Sequence, residues 1–230
     1  MEKHIESLLN KFSIAAITIA TFTLLIVALQ TPETCIPPNT PPKPHLRFPK
    51  SSCDSSPRQH LPLHKKNLRL WSSKSWQTRV SSYFQFFTNL HHLDLLHNHS
   101  RAICVSAGAG HEVMALRNMG LTDVTGVELV DSPPLVKRAD PHNLPYFDGV
   151  FDFAFSGHFE EALFPGRYAA EMERTLRVGG VCVVVVDASG DTEVTEISGL
   201  FKNSKVVRVE NITLIGSKMT GIIFRRAKTT

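Results

Sequence analysis

The chain has 230 residues, 42% of them hydrophobic and 20% charged, with 25 Lys and Arg against 21 Asp and Glu for a net charge of +4. That length holds one ordinary domain with appendages, and the composition excludes a collagen-like, disulfide-rich or wholly disordered chain. Four cysteines without a Cys-x-x-Cys pair exclude a disulfide scaffold and carry no zinc or redox signature, so no metal is expected. The charge is uneven. Residues 31–80 hold nine basic side chains (Lys43, Arg47, Lys50, Arg58, Lys65, Lys66, Arg69, Lys74, Arg79) against Glu33 and Asp54, a net of +7, so the remainder carries −3. A nucleic-acid enzyme and a solvated tether beside a membrane can both show such a stretch; nucleic acid is not the partner expected here.

After a short tail over residues 1–11, Phe12 to Leu29 reads FSIAAITIATFTLLIVAL, eighteen residues without a charge. Such a run is just long enough to cross a hydrocarbon core as a helix. Thr18, Thr21 and Thr23 fit because their hydroxyls can bond back to helix carbonyls. A cleaved signal peptide would want small residues at its cleavage site, and Ala28-Leu29-Gln30 suits this poorly. A single retained anchor over residues 12–29 is therefore expected, which makes the chain a single-pass membrane protein, placed in the endomembrane system (ER or Golgi). Lysines flank the span on both sides, so its orientation stays open.

Residues 30–70 read as a proline-rich basic linker: nine of the fourteen prolines fall within 31–62. Proline lacks the amide proton of helices and sheets, so an extended, semi-rigid spacer is expected. Cys35 and Cys53 lie in it and could pair in an oxidising lumen. From residue 71 a domain is expected to run to 230. Trp76, Val80, Phe84, Phe87 and Leu90 recur at helical spacing and predict an amphipathic helix over Ser75–Leu96. His91, His92, His97 and His99 follow no zinc spacing and read as a polar helix end.

From Arg101 strands and helices alternate. Predicted strands are Ala102–Ala107, Asp123–Val130, a short Leu135–Ala139, Phe151–Ser156 and Val181–Asp187, the last (VCVVVVD) apolar enough for burial on both faces. Predicted helices are His111–Met119, Pro165–Leu176 ending at Gly179-Gly180, and one near Thr192–Phe201. Strands Lys205–Thr213 and Met219–Arg225 are joined by only Leu214–Lys218, too short for a parallel crossover, so they form an antiparallel hairpin. The fold class is α/β: a Rossmann-like, doubly wound, mostly parallel sheet with a C-terminal antiparallel hairpin, preceded by a single transmembrane helix and a Pro-rich linker.

The chemistry concentrates in Ile103-Cys-Val-Ser-Ala-Gly108-Ala-Gly110-His-Glu112, a strand entering a small-residue loop and then a helix. Glycines admit a ligand to the backbone, and free amides at a helix start favour an anionic group. Glu128 ends the second strand twenty residues after Gly108, where a carboxylate can accept from both hydroxyls of an adenosine ribose. A dinucleotide fingerprint would need glycine at Val113, and no P-loop Gly-Lys-Ser/Thr is present.

With Ala139-Asp140, Leu144-Pro-Tyr-Phe-Asp148, Phe151-Asp-Phe-Ala-Phe-Ser156 and Arg174-Thr-Leu-Arg-Val-Gly-Gly180 added, residues 101–226 resemble a class I S-adenosylmethionine-dependent methyltransferase. Within that superfamily they most resemble the small, membrane-anchored, methyltransferase-like proteins of plants. The resemblance implies that the backbone around Ser106, Ala107, Gly108 and Gly110 meets the methionine part of the S-adenosylmethionine cofactor. It implies that Glu128 holds the ribose, Leu129 flanks the adenine and Asp140 accepts from the adenine amine. Ser156 to His158 would face the transferred methyl, with His158 the candidate base where the acceptor must lose a proton. Glu160 and Glu161 are weaker candidates. Ser106 stands where the family usually has an acidic residue, and Glu112 where it has a third glycine. Ser-Gly-His-Phe after the fourth strand departs from the Asn/Asp-Pro-Pro-Tyr of amino-group methylation, and no insertion offers an acceptor-recognition domain. The acceptor stays unidentified, with a small molecule favoured. Two functions stand: a membrane-tethered methyltransferase, or a scaffold of the same fold that needs a protein partner.

Overall fold

The computed structural model describes residues 2–30 and 62–228. They fall into two compact units that divide between Leu63 and His64. Cys35, Cys53 and most of the proline-rich stretch lie outside the described residues.

The first unit holds α1 (Glu2–Gln30), which encloses the predicted span and continues beyond it at its N-terminal end. Its stretch Lys11–Leu29 is long and apolar enough to cross a membrane. The three threonines behave as their chemistry requires. Thr18 Oγ1 donates to the Ile14 and Ala15 carbonyls, Thr21 to Ile17, and Thr23 to Ile19 and Ala20, so each of the three threonine hydroxyls is paired within the apolar stretch.

The second unit begins with α2 (Leu63–Trp71), a helix where the sequence predicts the end of the linker over residues 30–70, formed once the clustered prolines end at Pro62, and α3 (Lys74–His92). Ser73 caps α3 by accepting from the Trp76 amide at 3.3 Å. The buried face of α3 carries Trp76, Val80, Tyr83, Phe86, Phe87 and Leu90, while Phe84 is exposed. The buried rhythm 76–80–83–87–90 steps by four, three, four and three, where the predicted one steps by four, four, three and three, and this turns Tyr83 inward in place of Phe84.

Seven strands follow in the order β3-β2-β1-β4-β5-β7-β6: β1 (Ala102–Val105), β2 (Val124–Glu128), β3 (Val136–Arg138), β4 (Phe151–Ser156), β5 (Leu176–Asp187), β6 (Ser204–Leu214) and β7 (Ser217–Arg226). β1 to β5 pair in parallel, and β7 enters antiparallel between β5 and β6. The hairpin turns on Ile215 and Gly216, both at positive φ, as a two-residue turn between twisted strands needs. The Ile215 amide is held by the Ser82 hydroxyl of α3 at 2.8 Å. α4 (His111–Asn118), α5 (Pro165–Thr175) and α6 (Asp191–Leu200) complete the layers.

The β5 run explains the double winding. Val183 and Val185 pack with Phe87, Phe153 and Phe155 beneath α3 and α4; Cys182, Val184 and Val186 pack with Tyr168, Met172 and Phe224 on the opposite face. A strand whose successive side chains both meet apolar layers must be apolar throughout. Cys104 and Cys182 are buried in these layers, where loss of solvation pushes their thiols up, away from nucleophilic chemistry.

One predicted boundary is corrected. Gly179-Gly180 does not stop the preceding helix: α5 ends at Thr175 and β5 starts at once, running through both glycines. The glycines serve a bulge. Pairing with β4 slips between Phe151 and Phe153, Gly179 sits at φ +81°, and a β-carbon on Gly180 would stand 2.9 Å from the Arg177 carbonyl and 3.0 Å from that of Asp152.

Candidate active site

The sheet's strand order reverses between β1 and β4, and the crevice at the carboxyl ends of these strands is where open α/β sheets take ligands. The residues singled out in the sequence gather there. β1 leads into Ser106 at φ +56°, then Gly108 at +50° and Gly110 at +94°, before α4 begins. Gly110 is required by packing, because a β-carbon would lie 2.8 Å from Leu135 Cβ and 2.9 Å from Val136 Cγ2. Gly108 differs: a β-carbon there would meet nothing within 4 Å, so the loop presents bare backbone to open space.

Glu128, at the end of β2, closes the other side. Its Oε2 accepts from the Gly108 amide at 3.2 Å and its Oε1 from the Leu129 amide at 2.8 Å. Both oxygens keep a lone pair for a further donor. Leu129 and Val130 beside it are exposed apolar side chains, a surface on which a flat ring can lie. Asp140 sits past β3. Its Oδ1 accepts from the His142 amide at 2.8 Å and lies 3.1 Å from His142 Nδ1, and these bonds hold the carboxyl below its ordinary range. His142 Nε2 accepts from the Phe164 amide at 3.2 Å, which assigns the ring proton to Nδ1. His142 thereby ties Asp140 to the segment leading into α5, a role with no sequence signal.

Ser106 and Ser156 come together through a residue the sequence did not single out. The Tyr168 hydroxyl of α5 donates to Ser106 Oγ at 3.0 Å and lies 2.8 Å from Ser156 Oγ. The chain of three hydroxyls joins the β1 loop, the end of β4 and α5. Ser156 is wholly buried within it. Burial pushes the Tyr168 phenol well above its usual range, so it stays protonated and donating.

Gly157 and His158 follow β4. The His158 ring is partly exposed, with Nδ1 3.1 Å from Glu161 Oε1. Glu160 is otherwise engaged, its Oε2 accepting from the Asp187 amide at 2.7 Å. On α3, Tyr83 Oη stands 3.2 Å from where a β-carbon on Gly157 would be. His111, stacked on Trp76 at 4.2 Å between ring centroids, is lowered to about 4 by burial and by the charges of Arg79 and His158. Glu112, the second residue of α4, is fully buried, and burial pushes its carboxyl up to about 8. Among the described residues no cluster of three or more His, Cys, Asp or Glu side chains could hold a metal ion.

These residues fit the cofactor that the sequence resemblance implies. The open face of Gly108 admits it, the Glu128 oxygens can receive ribose hydroxyls, Leu129 offers an apolar flank, and Asp140 has an oxygen free for an amine.

Comparison with known proteins agrees with this geometry. Residues 103–184, a little over a third of the chain, match the family model described as a methyltransferase domain. No curated protein matches the chain in sequence. Among solved structures, a SAM-dependent methyltransferase from Aquifex aeolicus is 16% identical, with a TM-score of 0.53 over 73% of this chain and 100% of its own. The 1,6-didemethyltoxoflavin-N1-methyltransferase of Burkholderia thailandensis, solved with 1,6-didemethyltoxoflavin and S-adenosylhomocysteine, is 16% identical at a TM-score of 0.52, over 72% and 84%. A Haloferax volcanii complex containing the Trm112 methyltransferase activator gives 14% identity and a TM-score of 0.53, over 72% and 98%. At such identities the structures establish fold alone. Together the fold, with its hairpin closing the sheet, and the domain match support the class I methyltransferase superfamily.

Proposed function

We propose that the chain is a membrane-tethered S-adenosylmethionine-dependent methyltransferase that acts on a small-molecule acceptor. The observation that carries this reading is the bridge from Glu128 to the Gly108 amide across a loop with one open face. When bound, S-adenosylmethionine supplies a methyl group on a sulfonium, which an acceptor lone pair attacks in line, the carbon–sulfur electrons leaving to yield S-adenosylhomocysteine. The protein's own task is then mostly positioning. Glu128 fixes the ribose, Leu129 the adenine face, and Asp140, aimed by His142, the adenine amine. The backbone of Ser106, Ala107, Gly108 and Gly110 supports the methionine part, with Ser106 and Ser156 braced from behind by Tyr168.

His158 is the base for acceptors that must lose a proton. Glu161 beside Nδ1 retains a proton there and leaves Nε2 free to accept one. The small-molecule class is supported by the Burkholderia thailandensis neighbour, which holds such a substrate, and by a cleft of about 600 Å³ at the carboxyl end of β5 floored by Phe159, Val186 and Leu200. α1 anchors the chain. Its span of 19 residues, at about 1.5 Å each, reaches about 28 Å and suits the thinner bilayer of the endoplasmic reticulum.

A second reading, a domain that works only with a protein partner, is favoured by the Haloferax volcanii neighbour's complex with an activator. Calorimetric titration of the full chain in detergent micelles with S-adenosylmethionine and S-adenosylhomocysteine separates the two. Micromolar binding, lost in Glu128→Ala, is the expected result. No binding by a folded chain would sink the isolated enzyme and leave the scaffold.

A further inference from the structure

α2 is a helix with little to hold it. It has nine residues, none of them buried, and a helix shorter than about 12–15 residues is marginal in water on its own. Its attachment to the domain runs through two half-buried side chains. Asn67 Nδ2 donates to the Pro133 carbonyl at 2.9 Å, and the Trp71 ring lies 6.4 Å from that of Trp76. Leu68 and Leu70 are instead exposed, at 61% and 46%. Lys65, Lys66 and Arg69 are exposed as well, and α2 contains no acidic residue. None of these three cations forms an ion pair among the described residues.

Both attachments lead to the crevice. Pro133 belongs to the connection between β2 and β3, which opens with Leu129 and the exposed Val130. Trp76 stacks on His111, the first residue of α4 after the glycine loop. A short helix bearing uncovered leucines and unpaired cations is thus fastened to the β2 side of the candidate active site.

We propose that α2 docks on the surface of an anionic bilayer, its leucines at the acyl boundary and its three cations among the lipid phosphates, so that the β2 side of the crevice is held at the membrane. The inference rests on the tethered reading above. Two observations choose this occupant. The first is the mixed chemistry of the helix. Nucleic acid would use the cations and leave the leucines in water, and an apolar protein groove would strip the cations of solvent without pairing them. A head-group layer over acyl chains accepts both. The second is reach. The apolar stretch ends at Leu29 and α2 begins at Leu63, and the residues between them can extend to about 120 Å at most. The bilayer that holds α1 is therefore always within that distance of α2, whereas any other partner must be met from solution.

The test reads hydrogen exchange of the α2 amides in the full chain in three media: detergent micelles, nanodiscs of phosphatidylcholine, and nanodiscs rich in phosphatidylserine. A cation beside an anionic surface is worth about fivefold, so three together should slow exchange by up to about a hundredfold in the anionic discs alone. Salt at about 1 M should restore the micelle rate. The variant Lys65→Glu/Lys66→Glu/Arg69→Glu should lose the slowing, and Leu68→Ser/Leu70→Ser most of it, while unchanged exchange over Val181–Val186 of β5 reports that each still folds. Equal rates in all three media would overturn the proposal, as would equal slowing in neutral and anionic discs, or slowing that either variant retains. Slowing in micelles that grows with protein concentration would assign the surface to a second copy and overturn it too. The comparison of media uses wild-type chain alone, so it decides even if the variants fold badly. A chain that fails to float with either kind of disc is a different result, and overturns the tether itself.

Discussion

Gly108 and Gly110 are two residues apart in one turn, both at positive φ, and the space around them assigns them different tasks. Gly110→Ala would drive a β-carbon into Leu135 and Val136 at a backbone angle alanine avoids, and should cost roughly 2–4 kcal/mol of stability. Gly108→Ala meets open space at a left-handed angle that costs an alanine only about 1–2 kcal/mol. Its methyl group would instead occupy the face offered to a ligand. Thermal melts beside cofactor titrations should separate the pair: Gly110→Ala melts markedly lower, whereas Gly108→Ala melts only a few degrees below wild type and binds poorly. Similar melting losses for both would remove the distinction between a packing glycine and an approach glycine. The sequence showed both glycines but not this division, since the residues that crowd Gly110, Leu135 and Val136, lie more than twenty residues along the chain.

Among the elements, the hydroxyl chain from Ser106 through Tyr168 to Ser156 ties α5 to the two strand ends that frame the site. Tyr168→Phe keeps the ring's contacts with His142 and Phe159 but leaves two serines without their partner, one of them wholly buried. The expected loss is about 1–3 kcal/mol, read from the midpoint of denaturant unfolding with an unchanged slope; no shift would mean that water replaces the phenol. This link was not legible in the sequence, because it joins residues 62 and 12 positions apart and tyrosine on an amphipathic helix reads as core. The strands were legible for the opposite reason: runs such as Val181–Val186 meet apolar layers on both faces, so their own composition reports their place. The α5–β5 boundary misled because a Gly-Gly pair serves a helix end and a strand bulge equally well, and only the neighbouring Asp152 and Arg177 carbonyls decide which. The site was legible where a residue's role depends on its own segment, as for Gly108 and Glu128. It was hidden where the role depends on a partner across the fold, as for Tyr168 and His142.

For the whole chain, the claim that matters is attachment. Two forces could hold it to a membrane: insertion of the uncharged stretch Phe12–Leu29, or attraction of the basic residues 31–80, net +7, to anionic lipid. They differ in their response to salt and alkali. Electrostatic adsorption decays within a Debye length of about 3 Å at 1 M salt and weakens near pH 11, where the five lysines of this stretch lose their protons and only its four arginines stay charged. Insertion of a helix whose threonine hydroxyls are all bonded to its own carbonyls depends on neither. The full chain should therefore remain in the membrane pellet through a 1 M salt wash and an alkaline carbonate wash near pH 11, and pass into solution only with detergent. Removal of residues 2–30 should shift the protein to the supernatant under either wash while the basic linker is still present. Release of the intact chain by carbonate would mean that the linker, not α1, does the holding, and would withdraw the single-pass reading.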